Sequence, residues 1–286
     1  MSGRAPRRPV ASAPIRRTRR VKRASAGLSP IRAGAALAML LSAAAVYGVG
    51  ASSAFEFREL EVEGAVYTDV TDVGAIVNDV RGQNLFRLST VPLADALREL
   101  PTVADARIRI ELPGTLSVAL EERPPILIWR VGERRYLADE AGTLVARLDA
   151  AAPPPEAPDL PSVADSRAGS AGLSVGMRLD PVDVDAATRL ASLRPADVGS
   201  RAERLVVVVT DEHGFELRAQ PGGWTAIFGF YTASLRRTDI IPGQVRLLGE
   251  LLEGREADVA SIVLADEQDG TYVPRPTPEP SSSPAS

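Results

Sequence analysis

An uncharged run of 23 residues, from Ala33 to Phe55, most constrains what this 286-residue chain can fold into. A helix of that length rises about 34 Å, which is enough to cross a hydrocarbon core of about 30 Å. We therefore predict a transmembrane helix over residues 33–55. A cleaved signal peptide is the alternative, because Ser52-Ser53-Ala54 resembles a small-residue cleavage site. The length of the run, and of the basic region before it, favours the uncleaved anchor.

Charges are distributed unevenly around this run. Ten of the 33 cationic residues lie within residues 1–32, which contain no acid, and the other 23 are outnumbered by the 37 acids. The excess of cations before the span predicts a cytoplasmic N-terminus and an extracytoplasmic location for everything after Phe55. The basic tail, residues 1–32, is expected to meet anionic lipid headgroups. It has no aromatic residue for base stacking, so no nucleic acid is expected as a partner.

The composition excludes several kinds of active site. The chain has no cysteine, which rules out a disulfide framework, a thiolate nucleophile and cysteine-bound metal clusters. Its one histidine, His213, cannot form a multi-histidine metal site. The stretch Asp211-Glu212-His213-Gly214 lies between two strand-like runs and predicts a hairpin loop. These absences argue against enzymatic function, and we expect no catalytic residue, no cofactor and no metal.

Residues 56–125 show the hydrophobic patterns of a small α+β domain in the order β-α-α-β-β. Two helix-like segments follow the first strand: Val70 to Val80, with Thr68-Asp69 as its N-terminal cap, and Pro92 to Leu100, with Thr90 as its cap. The next run alternates apolar and charged residues, and its apolar members are Ala104, Ala106, Ile108 and Ile110. We predict a small sheet with both helices packed on one face.

Residues 126–273 are predicted to form a mixed β-sheet domain with flanking helices. Short apolar runs predict strands over residues 126–131, 135–138, 143–146, 205–210, 215–219, 224–228, 259–264 and 271–273. Helices are predicted near Val184 to Leu193 and from Pro242 to Gly254. The Pro-rich loop 150–161 is predicted to be a stiff spacer, and the tail 274–286 to be disordered. Trp129 and Trp224 fall in strand patterns and are predicted to be core residues.

Several motifs resemble the FtsQ/DivIB family of bacterial cell-division proteins. They are Leu100-Pro101-Thr102-Val103, Leu112-Pro113-Gly114-Thr115-Leu116, Glu121-Glu122-Arg123-Pro124-Pro125, Gly82-Gln83-Asn84-Leu85-Phe86 and Phe228-Gly229. Their order behind a single N-terminal anchor extends the resemblance from about residue 30 to residue 273. It implies that residues 56–125 are a POTRA domain and that residues 126–273 are the β domain of that family.

The resemblance also implies a function. Proteins of this family are divisome scaffolds that bind FtsB-like and FtsL-like proteins outside the cytoplasm, are enriched at the division septum and help to coordinate septal peptidoglycan synthesis. The resemblance implies that a partner strand adds to the edge of the β domain near its C-terminal strand, which corresponds here to Gly270, Thr271, Tyr272 and Val273. The neighbouring helix would contribute Val245, Leu248 and Leu252. An exposed edge with a tyrosine on it also suits strand addition on physical grounds.

The sequence departs from the family pattern in two places, and two other functions stay open. Phe230 to Ile241 is a longer insertion that includes Arg236-Arg237, and Gln244 stands where the family commonly has a lysine. One alternative is a POTRA-containing secretion or outer-membrane assembly factor, although no barrel-like series of strands follows residue 150. The other is an exported cell-wall hydrolase. Its candidate carboxylates are the adjacent acids Asp139-Glu140, Asp211-Glu212 and Asp266-Glu267.

Overall fold

The structure is a computed structural model that describes residues 29–148 and 160–276. Most of the predicted basic tail, most of the Pro-rich loop and most of the C-terminal tail lie outside these described residues. The described part of the predicted tail is not all irregular, because Pro274 is the last residue of a strand.

The first helix, α1 (Pro30–Ala51), is long and apolar enough to cross a membrane. It begins three residues before the predicted span and ends at Ala51 rather than Phe55. The helix stops there because the Ser52 hydroxyl accepts the N–H of Ala54 and starts a separate 3-10 turn over Ser53–Phe55. α1 belongs to one unit of the chain, and a second compact unit begins at Ser52.

The second unit starts with the predicted β-α-α-β-β order. Its elements are β1 (Glu59–Glu63), α2 (Val70–Asn78), α3 (Val91–Arg98), β2 (Val103–Glu111) and β3 (Thr115–Glu122). β3 is central, parallel to β1 and antiparallel to β2. Val73 of α2 and Leu97 of α3 pack in one buried cluster with Ala106 and Val118 of the sheet. Both helices therefore cover the same face, as predicted.

The ends of these elements show where local sequence signals succeed and where they fail. Asp69 caps α2, because its carboxylate accepts the N–H of Thr71 at 2.8 Å. Thr90 is the N-cap residue of α3, as predicted, but its side chain makes no capping hydrogen bond. A β-bulge between Val103 and Asp105 buries Val103 and exposes Ala104. The predicted apolar face of β2 is therefore wrong at Ala104.

The remaining strands form one nine-stranded sheet in the order β12-β11-β10-β9-β8-β7-β4-β5-β6. They are β4 (Pro125–Val131), β5 (Arg134–Asp139), β6 (Leu144–Leu148), β7 (Ser162–Asp165), β8 (Arg204–Thr210), β9 (Gly214–Gln220), β10 (Thr225–Gly229), β11 (Val259–Leu264) and β12 (Gly270–Pro274). Strand β7 was not predicted as a strand. It lies between β4 and β8 and is parallel to both, so it joins the two halves of the sheet.

Two helices, α4 (Pro181–Ala191) and α5 (Ile241–Leu252), pack on one face of this sheet. Both fall close to their predicted ranges, and Pro242 lies in the first turn of α5 as predicted. Trp129 and Trp224 are buried in the same core, which confirms their predicted place. On the other face a smaller apolar cluster at the β4-β5-β6 end includes Tyr67 of the three-stranded part.

Candidate partner-binding edge

β12 is an outer strand of the nine-stranded sheet, and it carries all four strand residues predicted to bind a partner. It pairs with β11 in an antiparallel register that places Gly270 opposite Leu264 and Tyr272 opposite Ile262. Tyr272 and Val273 are 39% and 50% exposed, and no strand within the described residues covers the outer side of β12. The structure therefore brings the predicted residues together at a sheet edge.

The backbone of this edge offers hydrogen bonds at alternate residues. Ala265 donates its N–H to the carbonyl oxygen of Asp269, the residue opposite it, at 2.8 Å. Hydrogen-bonded and non-hydrogen-bonded pairs alternate along antiparallel strands, so Thr271 directs its N–H and C=O toward β11. Gly270 and Tyr272 then direct theirs away from the sheet, where an added strand would meet them.

Helix α5 lies against β12, but the residues nearest the edge differ from those predicted. Leu248 and Leu252 are 0% and 2% exposed and belong to the core, while Val245 is half-buried. A methyl group on Gly270 would lie 2.9 Å from Cδ1 of Leu251 and 3.1 Å from Cδ2 of Leu247. Glycine at this position thus lets β12 approach the helix closely, and Leu247 and Leu251 are its neighbours there.

Three arginines surround a cavity of about 500 Å³ beside the end of β12. They are Arg201, Arg255 and Arg275, and none of their guanidinium groups has a carboxylate oxygen within 4 Å among the described residues. The guanidinium carbon of Arg255 lies 5.5 Å from the ring centre of Tyr272. The cavity therefore presents unpaired cations next to the most exposed aromatic side chain of the edge.

Two acids, Glu203 and Glu256, line this cavity together with the arginines, and Glu256 already has hydrogen-bond donors within the fold. Glu256 accepts hydrogen bonds from the Ser200 hydroxyl, from the N–H of Arg201 at 3.0 Å and from Nε1–H of Trp224 at 3.1 Å. Burial alone would raise the pKa of Glu256, but these hydrogen bonds outweigh it and hold the pKa below its ordinary value. Glu256 is thus an anion held by the cavity wall and by the nearby charge of Arg201, while Arg255 and Arg275 have no carboxylate partner among the described residues.

The long insertion, Phe230 to Ile241, is held against the ends of β10 and β11. Arg236 donates to the carbonyl oxygens of Phe228 at 2.6 Å and Leu264 at 2.8 Å. Gln244 is fully buried; it accepts the Tyr231 hydroxyl at 2.7 Å and donates to Leu264 at 3.1 Å. Burial raises the pKa of Tyr231, so its hydroxyl stays a donor. Gln244 therefore has a structural role at the position where the family commonly has a lysine.

The other side chains considered for chemistry have structural contacts. His213 lies in the β8–β9 hairpin turn, as predicted, with Nδ1 3.1 Å from Oε1 of Glu216. Asp139, Asp211 and Asp266 each accept backbone N–H groups, at 2.7, 2.8 and 2.7 Å, and so stabilise turns and loops. No cluster of metal-ligand side chains occurs within residues 29–148 and 160–276.

Comparisons with known proteins agree with this architecture. A family profile described as "POTRA domain, FtsQ-type" matches residues 55–123. The cell division protein FtsQ of Chloroflexus aurantiacus is 27% identical over 247 residues, which cover 86% of this chain and 80% of that relative. The cell division protein FtsQ of Mycobacteroides abscessus is 27% identical over 168 residues, 57% of this chain and 53% of the relative.

A third relative, the cell division protein FtsQ of Novosphingobium aromaticivorans, is 30% identical over 155 residues, which cover 52% of this chain and 41% of its own length. The chain thus spans most of the Chloroflexus protein and about half of the other two relatives. Residues 55–123 are a POTRA domain of the FtsQ type, and their boundaries agree with the β-α-α-β-β unit. The chain therefore resembles cell division proteins named FtsQ over most of its length, and it carries a POTRA domain of the FtsQ type.

Proposed function

We propose that this chain is a single-pass membrane scaffold of the divisome and that β12 is its docking edge. In this proposal a strand of an FtsB-like or FtsL-like protein pairs with β12 outside the cytoplasm, at the division septum. By holding such partners together the chain helps to coordinate septal peptidoglycan synthesis and makes or breaks no covalent bond itself. The open edge of β12 is the observation that supports the proposal most directly.

The membrane part of the proposal rests on α1 and on the charges before it. α1 has 22 residues and the apolar composition of a span. Ten cations without an acid precede the span within residues 1–32, which favours a cytoplasmic N-terminus. The same cations would attract anionic lipid headgroups at the cytoplasmic surface. The second unit, from Ser52 onward, would then lie outside the cytoplasm.

Strand addition suits β12 because one partner strand could meet both its unpaired backbone N–H and C=O groups and its exposed side chains. A partner strand would satisfy the outward N–H and C=O groups of Gly270 and Tyr272. The ring of Tyr272 would be covered by the partner, which is the environment in which tyrosine contributes most to binding. Leu247 and Leu251 support the strand from below, while Leu248 and Leu252 act only through the core.

The arginine cavity indicates the chemistry of the partner segment. A docked strand that continues past Tyr272 would reach the region of Arg255 and Arg275. Guanidinium groups bind carboxylates with two parallel hydrogen bonds, and Glu256 is already held by three donors. We therefore expect the partner to carry at least one acidic residue beside its pairing strand.

The proposal can be tested with two variants of one residue. Tyr272→Ala and Tyr272→Pro both lose the ring, but only the proline variant also loses the outward N–H. A lost hydrogen bond of about 1 kcal/mol corresponds to roughly a fivefold change in affinity. The full chain, in lipid nanodiscs, would be titrated with the extracytoplasmic segments of its FtsB-like and FtsL-like partners. We expect binding to weaken in the order wild type, Tyr272→Ala, Tyr272→Pro.

A control separates loss of binding from loss of fold. Thermal unfolding of each variant should stay close to that of the wild type, because position 272 points its backbone away from β11. Equal affinity of the alanine and proline variants would show that the partner does not pair with the backbone of β12. Binding by neither the wild type nor the variants would exclude these partners altogether.

A further inference from the structure

A pair of phenylalanine rings, Phe55 half-buried and Phe86 exposed, lies near the beginning of the second unit. Phe86 is 55% exposed and packs against Phe55 in an edge-to-face arrangement, with ring centres 5.1 Å apart. Phe86 belongs to the loop between α2 and α3, in the Gly82-Gln83-Asn84-Leu85-Phe86 motif. The proposed docking edge at β12 leaves this pair unexplained.

The loop that carries Phe86 is bonded to the residues that directly follow α1. The N–H of Leu85 donates to the carbonyl of Phe55 at 2.8 Å, and Nδ2–H of Asn84 donates to the carbonyl of Ser52 at 3.0 Å. The N–H of Phe57 donates to the carbonyl of Gln83 at 2.9 Å. The position of Phe86 is therefore fixed relative to Ser52, the first residue after α1.

Chain length limits how far this pair can be from the end of the span. Phe55 is four residues beyond Ala51, which is at most about 15 Å at 3.8 Å per residue. The 3-10 turn over Ser53–Phe55 shortens that reach, because its rise is only about 2 Å per residue. The headgroup layer adds about 5–8 Å to each side of the hydrocarbon core. The aromatic pair is thus within reach of the interface layer of any bilayer that α1 crosses.

Arginines complete the chemistry of this surface. Arg58 donates to the carbonyl of Ser53, and Arg81 donates to the carbonyl of Arg58 at 2.8 Å while its guanidinium lies 5.9 Å from the ring centre of Phe57. Arg58, Arg81 and Arg87 are exposed, and none has a carboxylate oxygen within 4 Å in the part of the chain that the structure describes. Aromatic rings and cations side by side are typical of residues that contact lipid headgroups.

We propose that Phe55 and Phe86, with Arg58, Arg81 and Arg87, form a lipid-contacting surface that rests this domain on the membrane crossed by α1. The two rings enter the boundary between headgroups and acyl chains, and the arginines bind lipid phosphates. Such a contact restricts the tilt of the domain relative to the bilayer. It is independent of any divisome partner and requires only that α1 spans the membrane.

The absence of cysteine from the sequence allows a direct test with single spin labels. Phe86→Cys would be labelled in the full chain and reconstituted into phosphatidylcholine vesicles without any other protein. Leu40→Cys in α1 is the reference for the lipid interior, and Leu235→Cys, at a residue 93% exposed, is the reference for water. The measurement compares the collision of each label with oxygen, which concentrates in lipid, and with a water-soluble nickel complex.

We expect the label at position 86 to shift from the Leu235 value toward the Leu40 value. Arg87→Cys supplies a second site that leaves both rings in place, and it should shift in the same direction by a smaller amount. Labels at 86 and 87 that are both as accessible to the nickel complex as the label at 235 would overturn the proposal. A shift that appears only after a partner protein is added would also overturn it, because the surface would then bind protein and not lipid.

Discussion

The two edge strands of the nine-stranded sheet differ in whether a described segment from outside the sheet forms hydrogen bonds with their backbone. At the β6 edge, Leu144 donates its N–H to Met177 at 2.9 Å and accepts the N–H of Gly176 at 2.8 Å, so a segment of the same chain covers the start of the strand. Thr143 also forms an isolated β-bridge with Arg178. At the β12 edge no such segment occurs among the described residues.

Side chains are also more buried at the β6 edge than at the β12 edge. Leu144 and Val145 of β6 are 0% and 1% exposed, whereas Tyr272 and Val273 of β12 are 39% and 50% exposed. An uncovered edge is an aggregation hazard that proteins usually block with charge, proline or a covering loop. Among the described residues, the chain therefore covers the β6 edge and leaves the β12 edge uncovered. This difference is the physical reason for proposing β12 as the docking edge.

The largest expected effect is at the covered edge. Leu144→Ala should lower the free energy of unfolding by about 2–5 kcal/mol, because it leaves a cavity in a fully buried site. Val273→Ala, the matched change at the open edge, should change it by no more than about 0.5 kcal/mol. Urea unfolding of the fragment from Ser52 to Ser286 would measure both. Similar losses for the two variants would contradict the division between a packed edge and an open one.

A second prediction concerns the segment that covers β6. Gly176 has a φ of +86°, and a methyl group there would meet only Cγ of Pro101 at 3.5 Å. Gly176→Ala should therefore cost about 1–2 kcal/mol through backbone strain alone. Gly169→Ala, at a glycine with open space around it and no positive φ, is the control and should be nearly neutral. Urea unfolding that finds the two variants equally stable would show that residues 176–178 do not cover the edge rigidly.

Lowering the pH should cost more folding stability through a buried acid inside the sheet than through an acid near its open edge. Burial alone would raise the pKa of Asp165, but hydrogen bonds from Arg167 and Ser170 outweigh it and lower the pKa below the ordinary value of 3.8. The lowered pKa contributes stability that is present above that ordinary value and is lost as the pH falls through the folded pKa. One such group can lose at most about 1 kcal/mol between about pH 4 and pH 3.

Two variants compare these acids through the pH dependence of the free energy of unfolding. Asp165→Asn should flatten the decline of unfolding free energy toward about pH 3 more than Glu256→Gln does. The reason is that the Asp165 side chain is fully buried, whereas Glu256 borders the arginine cavity, where water screens its interactions. Urea titrations at several pH values would give both slopes. A larger flattening by Glu256→Gln would reverse the assignment of the more tightly held acid.

Much of the local structure could be predicted because it depends on short-range patterns. The β-α-α-β-β order, the His213 hairpin and the proline at the start of α5 follow from periodicity and turn chemistry. Strand β7 escaped prediction because it has only four residues and ends in Asp165, whose buried carboxylate accepts hydrogen bonds from Trp129, Arg167 and Ser170. A polar residue at such a place gives no apolar signal.

The candidate site was predictable only in part. Its strand follows from the family resemblance, but the helix stripe that includes Leu248 and Leu252 marks the core-facing side of α5, so these two residues cannot meet a partner directly. Leu247 and Leu251 are the residues beside Gly270. The three arginines of the cavity come from separate parts of the chain and meet only through the sheet order. No local pattern in the sequence relates them.

The smallest expected effect lies at the open edge itself, and it separates stability from binding. Val273→Lys places a charge on a half-exposed side chain, so the free energy of unfolding should change by no more than about 0.5 kcal/mol. The same charge is a common device for blocking strand addition, and partner capture by the full chain should weaken even though folding does not. Val263→Lys on β11, at a residue 43% exposed but one strand inward, is the matched control and should keep capture. If both variants bind equally well, the partner does not approach β12 from the side of Val273, and the difference between the two edges has another purpose.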